Sequence, residues 1–200
     1  MKNLIKALIV LAVVSISRMG LHAQNKEVIT GVFFTEQDYH SNRLSYVLGS
    51  NDKLLQNEFF SGKHISIVYQ GKKIKLAKSS IFGYRLSNTN FRLYNNEAYK
   101  IIDTAGFMLY TREKLTPHIK GYAPEKKYFY SVTATGAVAD LTIENLCNSF
   151  PGKPGFRYSI QNTFNNDNAL ASYDKFLHQY KIKYLYLQQT HIAASHLAAN

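Results

Sequence analysis

The stretch that decides the fold runs from Ile65 to Arg112 and reads ISIVYQGKKIKLAKSSIFGYRLSNTNFRLYNNEAYKIIDTAGFMLYTR. Short apolar and aromatic runs alternate in it with clusters of Gly, Asn, Asp and Ser. This pattern is typical of consecutive β-strands joined by tight turns. We therefore expect an antiparallel meander in this part of the chain.

Further strands are predicted on both sides of this stretch. The additional strand-like segments are 28–34, 44–48 and 127–134, and the segment 53–60 is ambiguous. Between the meander and the last strand, residues 113–126 carry Pro117 and Pro124, which predicts a long loop. The total of seven to nine strands, each beside its sequence neighbour, predicts a barrel or a strongly twisted sheet.

The hydrophobic pattern changes from strand-like to helical at Asp140. Thr142 is a candidate N-cap for a helix with its apolar positions on one face, which are Ile143, Leu146, Cys147 and Phe150. Asp167 is a second candidate N-cap, followed at helical spacing by Leu170, Tyr173, Phe176, Leu177 and Tyr180. Residues 183–187 suit either a closing strand or an extension of that helix, and we predict the strand. The fold class is therefore α+β and β-dominated, with an antiparallel meander followed by two C-terminal helices that pack on the sheet.

The N-terminus has the pattern of a secretory signal peptide. Lys2 and Lys6 precede an apolar run that is shorter than the roughly 20 residues needed to span a bilayer. We expect residues 1–23 to be removed, although an uncleaved N-terminal anchor remains an alternative. The mature chain would then be one β-rich domain over 24–188 with a flexible tail over 189–200, and it has no further apolar run of membrane-spanning length.

Charge and cysteine content narrow the range of partners. The predicted signal peptide holds three of the 24 Lys and Arg residues and none of the 13 acids, which leaves 21 basic against 13 acidic residues, a net charge of +8. A basic exported protein can meet anionic envelope components, whereas nucleic acid is not expected in that compartment. Cys147 is the single cysteine, so an intrachain disulfide is impossible, and its helical spacing predicts a core residue rather than a nucleophile.

The common catalytic and metal-binding motifs are absent from the sequence. It contains no G-x-S-x-G, H-E-x-x-H, C-x-x-C or phosphate-binding loop. His191 and His196 are five residues apart, which does not place two ligands on one helix face, and Asp38 with His40 lacks a third ligand nearby. We therefore expect no catalytic residue, no metal and no cofactor. A small hydrolase without a recognisable motif is the alternative, and it requires two acids, or a histidine and an acid, to converge in a cleft.

One candidate ligand-binding surface follows from the meander. If Phe91 pairs with Ile101 across the next turn, Arg92 lies opposite Lys100 on the face away from the aromatic core. The candidate binding residues on that face are Arg85, Arg92, Lys100, Arg112 and Tyr94, and Tyr110 is predicted to lie beside them. A row of like charges needs a carboxylate such as Glu97 or Asp103, water or an anionic ligand beside it. The alternative is an ordinary solvated sheet face, and a slip of one residue would invert the faces.

The chain resembles small exported β-rich proteins of Gram-negative cells in its leader and its strand pattern. That resemblance implies a periplasmic or extracellular location and no particular activity. The sequence thus favours an exported, non-enzymatic protein that binds an anionic or apolar ligand or an envelope partner.

Overall fold

The computed structural model describes residues 28–55, 62–118 and 121–198. The predicted signal peptide and most of the ambiguous segment 53–60 lie outside these residues.

The strands of the described chain form one large sheet and two small ones. The large sheet has eight antiparallel strands in the order β11-β10-β9-β8-β7-β6-β1-β2. Their bounds are β1 Thr30–Phe33, β2 Tyr46–Leu48, β6 Gly83–Leu86, β7 Thr89–Tyr94, β8 Glu97–Asp103, β9 Met108–His118, β10 Gly121–Ser131 and β11 Ala139–Asp140. Since β2 and β11 are two separate edges, the sheet is open rather than closed. The predicted β-dominated antiparallel fold with C-terminal helices is confirmed.

The hairpin at the start of the quoted stretch leaves the large sheet and forms a second layer. The strands β3 Lys53–Leu55, β4 His64–Tyr69 and β5 Lys72–Ala77 make a three-stranded antiparallel sheet. Ile65 and Ile67 are buried in a cluster with Tyr84 and Leu93 of the large sheet. The expectation of one continuous meander from Ile65 to Arg112 is therefore wrong. Its first hairpin buries its apolar side more completely on the sheet face than it could at the sheet edge.

Three tight turns fix the registers of the hairpins. The turn residues Gln70-Gly71, Ser87-Asn88 and Asn95-Asn96 all have positive φ. Two residues of positive φ are what a type I′ hairpin turn requires, because its twist matches that of the flanking strands. The turn at Asn95-Asn96 pairs Tyr94 with Glu97, so β7 and β8 are joined by two residues.

The segment predicted as a long loop is a β-ribbon. Strands β9 and β10 pair continuously from Met108 with Ser131 to His118 with Gly121. Pro117 lies opposite Tyr122 and Pro124 lies opposite Leu115. The loop prediction over 113–126 is wrong. Among the described residues no further strand pairs with this outer half of the ribbon, and such edge positions are where strands tolerate proline.

The C-terminal part contains three α-helices among its described residues, where two were predicted. They are α2 Ile143–Ser149, α3 Pro154–Thr163 and α4 Lys181–Ala198, and a short helix α1 Glu36–His40 lies near the start of the chain. The Thr142 cap is confirmed, since its side chain accepts a hydrogen bond from the backbone N–H of Asn145. Within the described residues no helix combines the length and apolar character needed to cross a membrane.

Two C-terminal predictions are wrong. Asp167 begins a 3₁₀ turn over Asp167–Ala171 that leads into the small hairpin β12 Tyr173–Asp174 and β13 Gln179–Tyr180, not a second long helix. The predicted strand 183–187 is instead the first part of α4. Its apolar residues suit either element by pattern, and burial of Ile182 against the helical core favours the helix.

The two faces of the large sheet bury different clusters. One face packs on the three-stranded sheet near β6 and β7, and on the helices near β9 and β10, where Leu109 and Tyr130 meet Leu146, Phe156 and Ile160. Cys147 is buried in that helical core, as predicted. The opposite face carries Phe33, Tyr99, Tyr110 and Phe129, covered in part by Tyr39 of α1 and by the loop 132–138.

Candidate anion-binding site

The register of the central strands brings several predicted residues to one face. Gly83 pairs with Arg92, and Arg92 pairs with Tyr99, so all three point to the same side of the sheet. Arg85 follows two residues after Gly83, and Tyr94 follows two residues after Arg92. Arg112 lies on this side as well, with its guanidinium 5.8 Å from the centre of the Tyr99 ring.

Lys100 is the predicted site residue that the structure places elsewhere. It pairs with Phe91 on one side and with Thr111 on the other, so it lies on the opposite face from Arg92. The predicted register, with Phe91 opposite Ile101, is wrong by one residue. The two-residue turn at Asn95-Asn96 is the cause, because a turn of three residues would be needed to place Lys100 opposite Arg92.

Arg92 is buried, with 3% of its surface exposed. Its Nη1 donates to the hydroxyl of Tyr110 over 2.9 Å and to that of Ser131 over 3.0 Å. Its Nη2 donates to the carbonyl oxygen of Gly136 over 2.6 Å. The expectation that Arg92 lies on a face away from the aromatic core is therefore wrong, since this guanidinium lies among aromatic rings and is held by neutral oxygens.

The donor and acceptor roles of the two hydroxyl groups bound to Arg92, those of Tyr110 and Ser131, follow from their other partners. Ser131 donates to the carbonyl oxygen of Thr133 over 2.6 Å, so its hydrogen is already committed. Tyr110 and Ser131 are 2.8 Å apart, and Tyr110 is then the donor of that bond. Both hydroxyl oxygens present lone pairs to Arg92. The network stabilises the cation without a carboxylate.

Arg85 is held in a similar way. Its Nε donates to Oδ1 of Asn90 over 2.7 Å and its Nη2 to Oδ1 of Asn42 over 2.6 Å. The guanidinium lies 5.3 Å from the centre of the Phe33 ring. Two amide oxygens and one aromatic ring thus orient this cation, which is half-buried rather than enclosed.

Tyr39 of α1 lies near Arg85 and Tyr110 on the same face of the sheet. Burial raises the pKa of its hydroxyl, with a further rise from Tyr110, while Arg85 and a hydrogen bond with Asn90 act in the opposite direction. The hydroxyl therefore stays protonated at neutral pH. We call the set of Tyr39, Arg85, Arg92, Tyr94 and Tyr110 the arginine face.

Arg112 differs from the two arginines of this face because it has a carboxylate partner. It forms an ion pair with Glu97, and Tyr99 donates to the same carboxylate over 3.1 Å. Burial, followed by the charge of Glu97, raises the pKa of Tyr99 to about 12. Arg112 is consequently neutralised, and it lies at the border of the arginine face rather than in it.

The electrostatics of the arginine face follow from these partners. Within the described residues, no ion pair joins Arg85 or Arg92 to an acid. Neutral hydrogen-bond acceptors fix a guanidinium in place but leave its charge uncompensated. The face therefore combines two oriented cations with three tyrosine side chains.

Sequence reasoning missed the groups that hold Arg92. Ser131 is the last residue of β10 and Gly136 lies in the loop after it, and no motif connects them with a residue some 40 positions earlier. The Asn95-Asn96 pair was a usable signal, because consecutive asparagines between two strands are typical of a two-residue turn and give the observed register.

The alternative of a hydrolase needs converging acid and base groups. Among the described residues, His40 and Glu36 meet at 3.3 Å, one turn apart on the exposed side of α1. Asp38 is bound by Thr35 and by Arg43, with 2.6 Å from Arg43 Nη2 to its Oδ1. No group of three potential metal ligands occurs in the described part of the chain.

No protein-family model matches the chain, and no similar protein was found among curated proteins or among solved structures.

Proposed function

We propose that this chain is an exported, non-enzymatic protein that binds a small anionic ligand at the arginine face. The observation that carries the proposal is the presence of two adjacent guanidiniums anchored by neutral oxygens. Burying an arginine without a counter-ion is unfavourable, and an anion beside it would recover part of that free energy.

The chemistry of the face favours a phosphate group over a simple halide. Planar guanidinium groups present pairs of N–H donors that match the oxygens of phosphate or carboxylate. Tyr94 lies beside Arg92, with its ring centre 5.4 Å from the guanidinium, and is itself half-buried. A sugar ring attached to the phosphate could stack on this side chain, so a sugar phosphate fits the face better than free phosphate does.

Arg85 is the arginine that an incoming ligand would contact. Arg92 is enclosed and supports the site from below, whereas Arg85 is half-buried and its partners are the amide oxygens of Asn90 and Asn42. An incoming anion can share the Arg85 guanidinium without breaking an ion pair. Arg92 adds charge at short range in a region of low dielectric.

A thermal-stability titration tests the proposal. The probes are glucose 6-phosphate and inorganic phosphate, with uncharged glucose as the reference. We expect glucose 6-phosphate to raise the melting temperature, since a ligand at 100 times its dissociation constant adds about 2.7 kcal/mol of stability. Arg85→Met should remove the effect.

Lys100→Met is the matched control for that titration. It also removes one cation from the large sheet, but from the opposite face, so it should leave the shift unchanged. A wild-type protein that responds to neither phosphate probe would overturn the proposal. An Arg85→Met variant that responds as the wild type does would also overturn it.

The location is a separate part of the proposal and rests on the sequence of residues 1–23. Mass spectrometry of the protein from its native cells should find Gln24 at the N-terminus. A chain that begins at Met1 would contradict export.

A further inference from the structure

The outer side of the three-stranded sheet is rich in lysine. Its inner side buries Ile65 and Ile67 on the large sheet, so the alternate residues point outward. The outward residues at the centre of the sheet are Lys53, Leu55, Ser66, Val68, Lys73 and Lys75. We call Lys53, Leu55, Val68, Lys73 and Lys75 the lysine face.

The arrangement of the lysines is fixed by the strand register. Val68 on the central strand pairs with Lys53 on one side and with Lys73 on the other. Neighbouring strands are about 4.8 Å apart, so these two lysines flank Val68 at about 10 Å from each other. Lys75 is two residues farther along β5, on the same side as Lys73. The three lysines therefore flank Val68 and Ser66 of the central strand, and Leu55 lies on β3 beside Lys53.

Few acidic residues lie near these lysines in the sequence. The sequence contains no Asp or Glu from Phe59 to Asn96. Asp52 precedes Lys53, but its carboxylate accepts hydrogen bonds from the backbone N–H groups of Gly49 over 3.1 Å and Gln70 over 2.8 Å. None of Lys53, Lys73 and Lys75 forms an ion pair with a residue that the structure describes. Three lysines against one neighbouring acid, Asp52, give the described part of this surface a net positive charge.

We propose that the lysine face docks the protein on an anionic membrane surface through lipid phosphate groups. Lysine is a compact point charge on a flexible stem, which suits a fluid array of headgroups better than a single shaped ligand. Leu55 is 38% exposed and Val68 is half-buried. These two apolar side chains can therefore rest in the apolar boundary of the headgroup layer. All three lysines lie on the same side of the sheet, so their flexible side chains can reach one headgroup layer.

This surface is distinct from the arginine face. The three-stranded sheet packs on the side of the large sheet that carries Tyr84 and Leu93, whereas Arg85 and Arg92 lie on the other side. Docking through the lysine face would leave the arginine face open. The proposal goes beyond ligand binding, and neither proposal depends on the other.

Co-sedimentation with lipid vesicles tests the docking proposal. The full chain is mixed at low ionic strength with vesicles of phosphatidylcholine alone or with phosphatidylglycerol added. We expect binding to the anionic vesicles only, weakening as salt rises, because the Debye length falls from about 10 Å at 0.1 M to about 3 Å at 1 M. The triple variant Lys53→Gln, Lys73→Gln, Lys75→Gln should bind about a hundredfold more weakly, since each lysine near such a surface contributes about fivefold.

A matched triple variant separates this surface from the net charge of the protein. Lys100→Gln, Lys126→Gln and Lys175→Gln remove the same charge from exposed positions elsewhere, and binding should stay within a fewfold of wild type. Equal losses in both triple variants would overturn the proposal, as would a wild type that ignores the anionic vesicles. Displacement by soluble polyphosphate at a phosphate concentration far below that of the lipid would assign the face to an anionic polymer instead, which also overturns it.

Discussion

Arg92 donates from Nη2 to the carbonyl oxygen of Gly136 over 2.6 Å, so a side chain from the middle of the large sheet fastens the loop that follows β10. The same guanidinium reaches Ser131 at the end of β10. Through these two bonds Arg92 of strand β7 holds Ser131, just before the loop 132–138, and Gly136 within that loop. The loop in turn covers part of the aromatic cluster of this face through Ala134 and Val138.

Replacing Arg92 with Met should destabilise the protein by about 3 kcal/mol, measured by urea unfolding. Hydrogen bonds from a charged donor contribute about 1.5–3 kcal/mol each in net terms, and the variant leaves the Gly136 carbonyl without its donor. Met fills a similar volume, so the loss reflects the polar contacts rather than a cavity.

Lys126→Met is the control for that experiment. Lys126 is exposed on the β9–β10 ribbon, and its replacement should change the free energy of unfolding by no more than about 0.5 kcal/mol. A loss below about 1 kcal/mol for Arg92→Met would show that the cost of burying the charge cancels its hydrogen bonds.

Stability should rise with pH between about 8 and 10 because of Lys183. This residue of α4 is fully buried, with Nζ 3.0 Å from the Ala105 carbonyl oxygen and 3.7 Å from the centre of the Phe107 ring. Burial lowers its pKa to about 8, against 10.5 for a free lysine, and Asp103 at 3.6 Å offsets only part of this shift. Between the two values the unfolded chain binds more protons, so a rise in pH favours the folded state by about 2 kcal/mol.

Above pH 10 the trend should reverse. The pKa of Tyr99 is raised to about 12 in the folded protein. The unfolded chain therefore loses this proton at a lower pH, so a rise in pH above 10 favours the unfolded state. Denaturant unfolding at a series of pH values should therefore show a maximum near pH 10. Lys183→Met should remove the increase in the free energy of unfolding between pH 8 and 10 and keep its decrease above pH 10. An increase that persists in this variant would show that another titratable group causes it.

Gly83→Ala should destabilise the protein by about 3 kcal/mol, measured by thermal or denaturant unfolding. A Cβ at this position would collide with the backbone of β7, coming within 3.0 Å of the Phe91 carbonyl carbon and 3.1 Å of the Arg92 Cα, with the Phe91 oxygen closer still. Backbone atoms of a paired strand cannot move aside as a flexible side chain can, so the β6–β7 ladder must open.

Gly152→Ala is the matched control, because a Cβ there would have no neighbour within 4 Å. It should leave stability within about 0.5 kcal/mol of wild type. Equal effects of the two substitutions would mean that the close approach of β6 to β7 is not what requires glycine at position 83.

Local pattern in the sequence was enough for the strands and tight turns of the stretch Ile65–Arg112 and for the first C-terminal helix. The alternation of Lys73, Ile74, Lys75 and Leu76 describes a strand with one buried side wherever that strand lies in the fold. The Thr142 cap and its apolar spacing likewise describe α2 without reference to any other element. Pairing between distant segments left no comparable local signal, and the helix at 181–198 carries apolar residues that suit a strand equally well.

The stretch Ile65–Arg112 therefore determined by itself that the protein is built from antiparallel hairpins, because side-chain alternation and turn chemistry are local properties. Only the tertiary structure decided that its first hairpin folds over the sheet as a second layer, that Arg92 is buried, and that Lys100 faces away from it. These outcomes depend on which apolar faces meet and on a register of one residue, and the free energy that selects them comes from contacts between segments far apart in the chain.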